Sequence, residues 1–309
     1  MQAIDPELDV RTYSQTRPWV AEYWPVLLLA SVTLALYAPV LGRLMWQWYY
    51  DPNYSHGFFV PLLFGYLIWD KREKIRALKI VPSAWGAVLV FGSLAVLYLG
   101  SLGSELFLQR ISLVGVITGF IVYFAGWRRL RAIAFPVAFL LFMIPLPAVI
   151  YNQIVFPLQL FASRFATSGL ETLNLFPVLR EGNRLILDGY TLEVVDACSG
   201  IRSLTSLVAL AMGYSYLTER RLGIRVFLVL AMVPVAIVSN GIRVVITALL
   251  VNYFGFRAAE GFMHSFSGWV IFLVSVMLLL VLHGLITAIL RRTTLRRTVL
   301  RPTTGAVAP

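Results

Sequence analysis

A chain of 309 residues with 59% hydrophobic and only 13% charged side chains departs from the globular norm of about 25% charged. With a mean hydropathy of +0.79, this excludes a soluble enzyme, a nucleic-acid-binding domain and a disordered chain, and defines a polytopic membrane protein. The net charge of +11 bears first on topology, because basic residues collect in the cytoplasmic loops of such proteins.

Residues 1–23 are polar and mixed in charge, and are expected to be a cytoplasmic N-terminal segment, not a cleavable signal peptide. A helix crossing the hydrocarbon needs about 20 mostly apolar residues. On that measure the sequence predicts an all-α integral membrane protein whose domain, residues 24–290, holds eight transmembrane helices. Their ranges are 24–44, 56–70, 83–103, 107–127, 131–150, 198–217, 223–253 and 265–290, and a basic cytoplasmic tail follows at 291–309. The second helix is short. In the seventh, a break is expected at Pro234 and Ser239-Asn240-Gly241, since proline withholds a donor and glycine loosens the ladder. No internal repeat is evident, which weighs against an inverted-repeat transporter.

Residues 151–197 form an extracytoplasmic loop too long for a simple helix connection. Its first half, around Pro157-Leu158-Gln159-Leu160 and Phe161-Ala162-Ser163-Arg164, is amphipathic and is expected on the membrane surface. In its second half, Arg184–Leu187 and Tyr190–Val194 flank Asp188-Gly189, a pair favoured in two-residue hairpin turns. With eight crossings both termini share one side with the loops at 71–82, 128–131 and 218–225. That side holds 18 of the 26 Lys and Arg residues, the other side six, and Arg202 and Arg243 lie within spans. The basic side is therefore read as cytoplasmic, in a cytoplasmic (inner) membrane.

Ionisable groups inside spans are costly, and each is a functional candidate by default. Three lie at outward positions: Cys198 in Ala197-Cys198-Ser199-Gly200-Ile201-Arg202, Arg243 in Asn240-Gly241-Ile242-Arg243, and His264 at the mouth of the last span. Taken singly, each has a plain reading. A lone cysteine is commonly a small hydrophobe, a histidine at a helix mouth is commonly hydrated, and Arg202 can snorkel to the interface. Together they form the equipment of acyl transfer. An imidazole and guanidinium activate a thiol, the imidazole then protonates a leaving amine, and the guanidinium stabilises an oxyanion or clamps a carboxylate. His56, in Tyr54-Ser55-His56-Gly57, rivals His264 as the base. His283 lies 19 residues beyond His264, about 28 Å along a helix, and cannot serve Cys198. A single cysteine allows no internal disulfide and no cysteine metal cluster, so no metal or cofactor is expected.

At these residues the chain resembles the exosortase family of membrane cysteine transpeptidases. The resemblance rests on Ala197-Cys198-Ser199-Gly200-Ile201-Arg202-Ser203, Asn240-Gly241-Ile242-Arg243 and His264, with Tyr54-Ser55-His56-Gly57-Phe58-Phe59-Val60-Pro61 as a second-span motif. It implies Cys198 as nucleophile, Arg243 as oxyanion or substrate stabiliser and His264 as general acid and base, with Arg202, His56 and Asn240 contacting substrate. The implied substrates are exported proteins with a C-terminal Pro-Glu-Pro-like motif, an apolar transmembrane helix and a basic cluster. They would be cut at the outer face and transferred to an acceptor. Besides these the chain meets membrane lipid and no nucleic acid. A transporter or permease, or a membrane-bound acyltransferase using Arg243 and His264, remains the alternative from the sequence.

Overall fold

The computed structural model describes residues 19–174, 177–187, 190–194, 200–255 and 262–299. Helix α1 (Trp19–Tyr50) leads through a 3-10 turn (Pro52–Phe58) into α2 (Phe59–Asp70) and α3 (Arg72–Ala77). A hairpin of α4 (Trp85–Leu102) and α5 (Leu106–Ala125) follows, then α6 (Trp127–Ala132), α7 (Ala134–Phe139), a 3-10 turn (Leu140–Met143) and α8 (Ala148–Leu173). Strands β1 (Leu179–Glu181), β2 (Arg184–Leu187) and β3 (Tyr190–Glu193) precede α9 (Ile201–Thr218), α10 (Leu222–Phe254) and α11 (Phe262–Val299).

Among the described residues five helices are long and apolar enough to cross a membrane: α1, α4, α5, α10 and α11. One sharply bent pair would make a sixth span. Three of the eight expected spans account for the difference. The stretch 56–70 gives only the 12 residues of α2, about 18 Å of helix against a hydrocarbon core of about 30 Å. The stretch 131–150 is not one helix. Pro145 and Pro147 interrupt the hydrogen-bond ladder, and Ala134–Met143 meets Ala148–Leu173 at 79°. The third is α9, whose 18 residues carry Arg202 and a run of Ser, Thr and Tyr.

The expected break in α10 is absent: Leu222–Phe254 is one helix of 33 residues. Its polar middle is held by neighbours. The hydroxyl of Ser275 on α11 donates to Ser239 at 3.2 Å, Asn240 packs on Gly200, and Gly241 lies under Phe165. At 1.5 Å per residue α10 is about 50 Å long, some 20 Å more than the hydrocarbon.

Its C-terminal turns are clothed by protein. Val244, Ala248 and Val251 form one core with Ala162, Ala166 and Leu170 of α8 and with Leu185, Leu187 and Leu192 of the sheet. The segment expected to lie on the membrane surface is thus the middle of a 26-residue helix whose buried stripe faces protein. The sheet has the order β1-β2-β3, both pairs antiparallel, so a third strand joins the two expected ones. Pairing of Leu187 with Tyr190 leaves two residues between β2 and β3. Those residues, Asp188 and Gly189, lie outside the described ones.

Elsewhere, close helix approach rests on small residues, as expected in lipid: a Cβ on Gly86 of α4 would collide with the Tyr123 backbone of α5. Tyr37 of α1 and Ser112 of α5 share a buried hydrogen bond of 2.9 Å. Outward faces of α1 and α4 are apolar, with Leu34, Phe91 and Leu99 among many exposed side chains, the surface a bilayer would cover.

Candidate functional site

The antiparallel packing of α9, α10 and α11 sets the depth of every candidate. Along α11, Gly268 lies beside Arg243, Ser275 bonds Ser239, and Leu279 packs with Met232 and Leu228. As α11 descends, α10 is therefore read backwards, and the first turns of α11 sit beside the C-terminal half of α10. On α9, Gly200 meets Asn240 at the same end.

Gly200 is the hinge of this arrangement. It caps α9 in the left-handed region, at φ +82, a conformation that costs an L side chain about 1–2 kcal/mol. A Cβ there would also stand 2.7 Å from Cγ of Asn240. Glycine thus permits both the turn into α9 and close approach to α10.

Beside it lies a cavity of about 520 Å³. His56 and Ser55 of the first 3-10 turn, Arg202, Ser203 and Ser206 of α9, Arg243 of α10, and Gly268 and Trp269 of α11 line it. Its described lining residues include two guanidiniums, those of Arg202 and Arg243. Arg243 is 7% exposed and Asn240 3%, whereas Arg202 is exposed and donates from Nε to Oδ1 of Asn53 at 3.4 Å. A carbonyl can only accept, so the contact between His56 Nε2 and the Phe142 oxygen, at 3.2 Å, commits that ring nitrogen as a donor. His56 consequently ties the first 3-10 turn to the second. Gly57 beside it packs directly beneath Trp48, whose indole N–H donates to the Met143 carbonyl at 2.9 Å.

Of the sequence candidates, Arg202, Arg243 and His56 line one cavity, and Asn240, one helical turn before Arg243, packs against Gly200. His264 falls in the first turn of α11, four residues before Gly268. Its side chain, and Cys198 altogether, lie outside the described residues. Asn53, Ser203, Ser206 and Trp269 were not singled out from the sequence. Asn53 adjoins the Tyr54-Ser55-His56-Gly57 motif, and Ser203 and Ser206 follow Arg202 on one helical face, so the spacing carried a signal for three of them.

At the far end of α9, Tyr214 and Nδ1 of His283 are 2.8 Å apart, and Nε2 of His283 lies 4.0 Å from Glu219. This separates His283 from the cavity, as the helical spacing required. Glu219 accepts from the backbone N–H groups of Arg220 and Arg221 at 2.7 and 2.8 Å. The Arg221 N–H above all holds its carboxyl below the usual carboxylate range.

A helical membrane domain with a cavity lined from α2, α9, α10 and α11, two guanidiniums among its lining residues, defines a polytopic membrane protein with an embedded polar site. The chain belongs to the transmembrane exosortase family (Exosortase_EpsH), whose family model matches residues 46–281. That range includes every candidate from His56 to His264. No curated protein and no solved structure matches the chain.

Proposed function

We propose that this protein is a cysteine transpeptidase of the membrane that cuts a C-terminal sorting signal from exported proteins and passes the new carboxyl end to an acceptor. The reading takes Cys198 as nucleophile. Two residues of extended chain span about 7 Å at most, so its Cα stays within that distance of Gly200, which packs on Asn240. One helical turn, about 6 Å, separates His264 from Gly268, which lies beside Arg243. The observation that carries the reading is this pair of contacts: neighbours of the thiol and of the imidazole both abut the α10 segment bearing Arg243.

His264 takes the thiol proton, and the thiolate attacks the scissile carbonyl to give a tetrahedral oxyanion. Arg243, poorly hydrated in its buried position, stabilises that charge. Collapse breaks the C–N bond, and His264 returns the proton to the leaving amine. A thioester remains on Cys198. An acceptor nucleophile, or water, attacks it as His264 takes the incoming proton; the thiolate leaves and His264 returns that proton to it. His56 is the rival base, since donation from its Nε2 to the Phe142 carbonyl leaves Nδ1 as the basic nitrogen.

In this reading both termini are cytoplasmic and the site faces outward. The substrate carries an acidic motif of the Pro-Glu-Pro kind, an apolar helix and a basic end. Co-expression with such a protein tests it: loss of the substrate's C-terminal helix is expected with the parent enzyme and absent with Cys198→Ala. Equal processing by both would overturn it.

A further inference from the structure

The three-stranded sheet has two unlike sides. At the turn between β1 and β2, the Gly182 carbonyl accepts from Ser163 Oγ of α8 and from Arg180 Nη1, each at 3.0 Å, which fastens the β1 side to α8. β3 is the other edge. The Val194 N–H donates to the Asn183 carbonyl at 2.9 Å, and along an antiparallel ladder bonded pairs alternate with unbonded ones. With Glu193 opposite Arg184 and Tyr190 opposite Leu187, Tyr190, Leu192 and Val194 turn their main-chain groups toward β2. Thr191 and Glu193 turn theirs away, and none of these outward groups meets a partner among the described residues.

Such groups are costly in hydrocarbon, so this edge belongs in water, in keeping with the proposed topology. Both residues are exposed. β3 holds no proline or lysine to blunt the edge, and its one acid, Glu193, is paired with Arg184 at 3.7 Å. The edge is also fixed relative to the site. Leu192 and Val194 bury in one core with Val244, the residue after Arg243. Cys198 follows Val194 by four residues, at most about 14 Å of extended chain.

A row of N–H and C=O groups that repeats every two residues, about 7 Å, is complementary to an extended polypeptide. Pairing of this kind bonds main chain to main chain, so it holds an extended stretch without demanding one sequence. In the transpeptidase reading, the exported protein reaches Cys198 from the aqueous side through the stretch just before the cut. We infer that β3 takes that stretch as a fourth strand, laid along Thr191 and Glu193 and delivered to Cys198. The inference rests on the transpeptidase reading for its partner, whereas the open edge is defined by the register alone. The paired strand also keeps the acyl half aligned for the acceptor once the signal helix has left.

Disulfide scanning tests this. Cys198 is the only cysteine, so Cys198→Ala with Thr191→Cys presents a single thiol. Leu179→Cys is the control: through Ile186 it lies on the same face of the sheet as Thr191 but at the other edge. Each is co-expressed with a membrane-anchored, signal-bearing protein whose single cysteine is placed in turn at successive positions before its motif, and is then oxidised. At Thr191→Cys the adduct yield should alternate with the two-residue period of a strand, several-fold between neighbours, and exceed the control several-fold. Even yields, a helical period or no adduct would overturn the open edge. Thr191→Pro deletes one outward N–H and spares the ladder to β2. With Cys198 present and at equal membrane abundance, it should lower processing several-fold at limiting substrate, and less when substrate is abundant. Unchanged processing would also overturn the edge. Processing of the same substrate by the parent enzyme separates the two claims. Processing without alternating adducts condemns the edge and spares the reaction; alternating adducts without processing do the reverse. Neither adducts nor processing would sink both.

Discussion

Replacing Gly200 by alanine strains the chain in two separable ways. The left-handed backbone, φ +82, costs an L residue about 1–2 kcal/mol. The new methyl would stand 2.7 Å from Asn240 Cγ, 2.8 Å from its Cβ and 3.0 Å from its Nδ2, and such overpacking costs about 1–3 kcal/mol. The expected loss is therefore about 2–5 kcal/mol, a large share of a typical folding free energy of about 5–15 kcal/mol. Denaturant unfolding in detergent micelles reads it, followed by helical circular dichroism. Asn240→Ala removes the Cγ and Nδ2 contacts and leaves the Cβ contact. The double variant should recover about 1 kcal/mol of the overpacking and none of the backbone cost. Processing should fall further than membrane abundance, because relief of the clash parts α9 from α10 next to Cys198. A Gly200→Ala protein that unfolds within about 0.5 kcal/mol of the parent, the range of neutral surface changes, would refute the reasoning.

Other outcomes follow from the same geometry. Arg243→Ala should lower the processing rate about 100- to 1,000-fold, the usual effect of losing one oxyanion donor, and Arg243→Lys should recover little, since an ammonium lacks the planar fork; recovery by Lys to near the parent rate in a pulse-chase assay would argue for a simple point charge. His56→Ala should weaken substrate engagement and leave some turnover at high substrate expression, whereas His264→Ala should lose about 100- to 10,000-fold in rate; the reverse order would name His56 as the base. Glu219 has its carboxyl held below its ordinary value of 4.5 by the Arg221 and Arg220 N–H groups. Its stabilisation is complete above 4.5 and lost as pH falls through the lower folded value. Melting temperature should therefore drop as pH falls below 4.5 in the parent, and that component should vanish in Glu219→Gln. A reporter inserted between Leu187 and Tyr190 should be extracytoplasmic and reporters at both termini cytoplasmic; either terminus outside would invert the site.

Hydropathy found the helices that lipid surrounds and failed where protein surrounds them. α1, α4, α5, α10 and α11 are long apolar runs, and their composition alone marks them. The interruption foreseen at Ser239-Asn240-Gly241 did not occur, because Ser275, Gly200 and Phe165 partner that segment across helices. A sequence window cannot see such long-range support. Conversely, the 131–150 stretch is apolar after Arg131, yet Pro145 and Pro147 interrupt it and the chain turns by 79°; its composition hides the stop that two prolines make. Within the site, Arg202, Arg243 and His56 were legible because charge in an apolar background is conspicuous. Trp269 and Leu63 were not, since an aromatic or aliphatic wall residue looks like every other lipid-facing one.

The claim on which the rest depends is a covalent intermediate on Cys198. Purified enzyme mixed with a signal-bearing substrate and quenched in acid should show, by peptide mass spectrometry, Cys198 carrying the substrate's new carboxyl end as a thioester. Neutral hydroxylamine should release it, and His264→Ala should not accumulate it. Cleavage that continues in Cys198→Ala, or an acyl adduct on any other residue, would contradict the account.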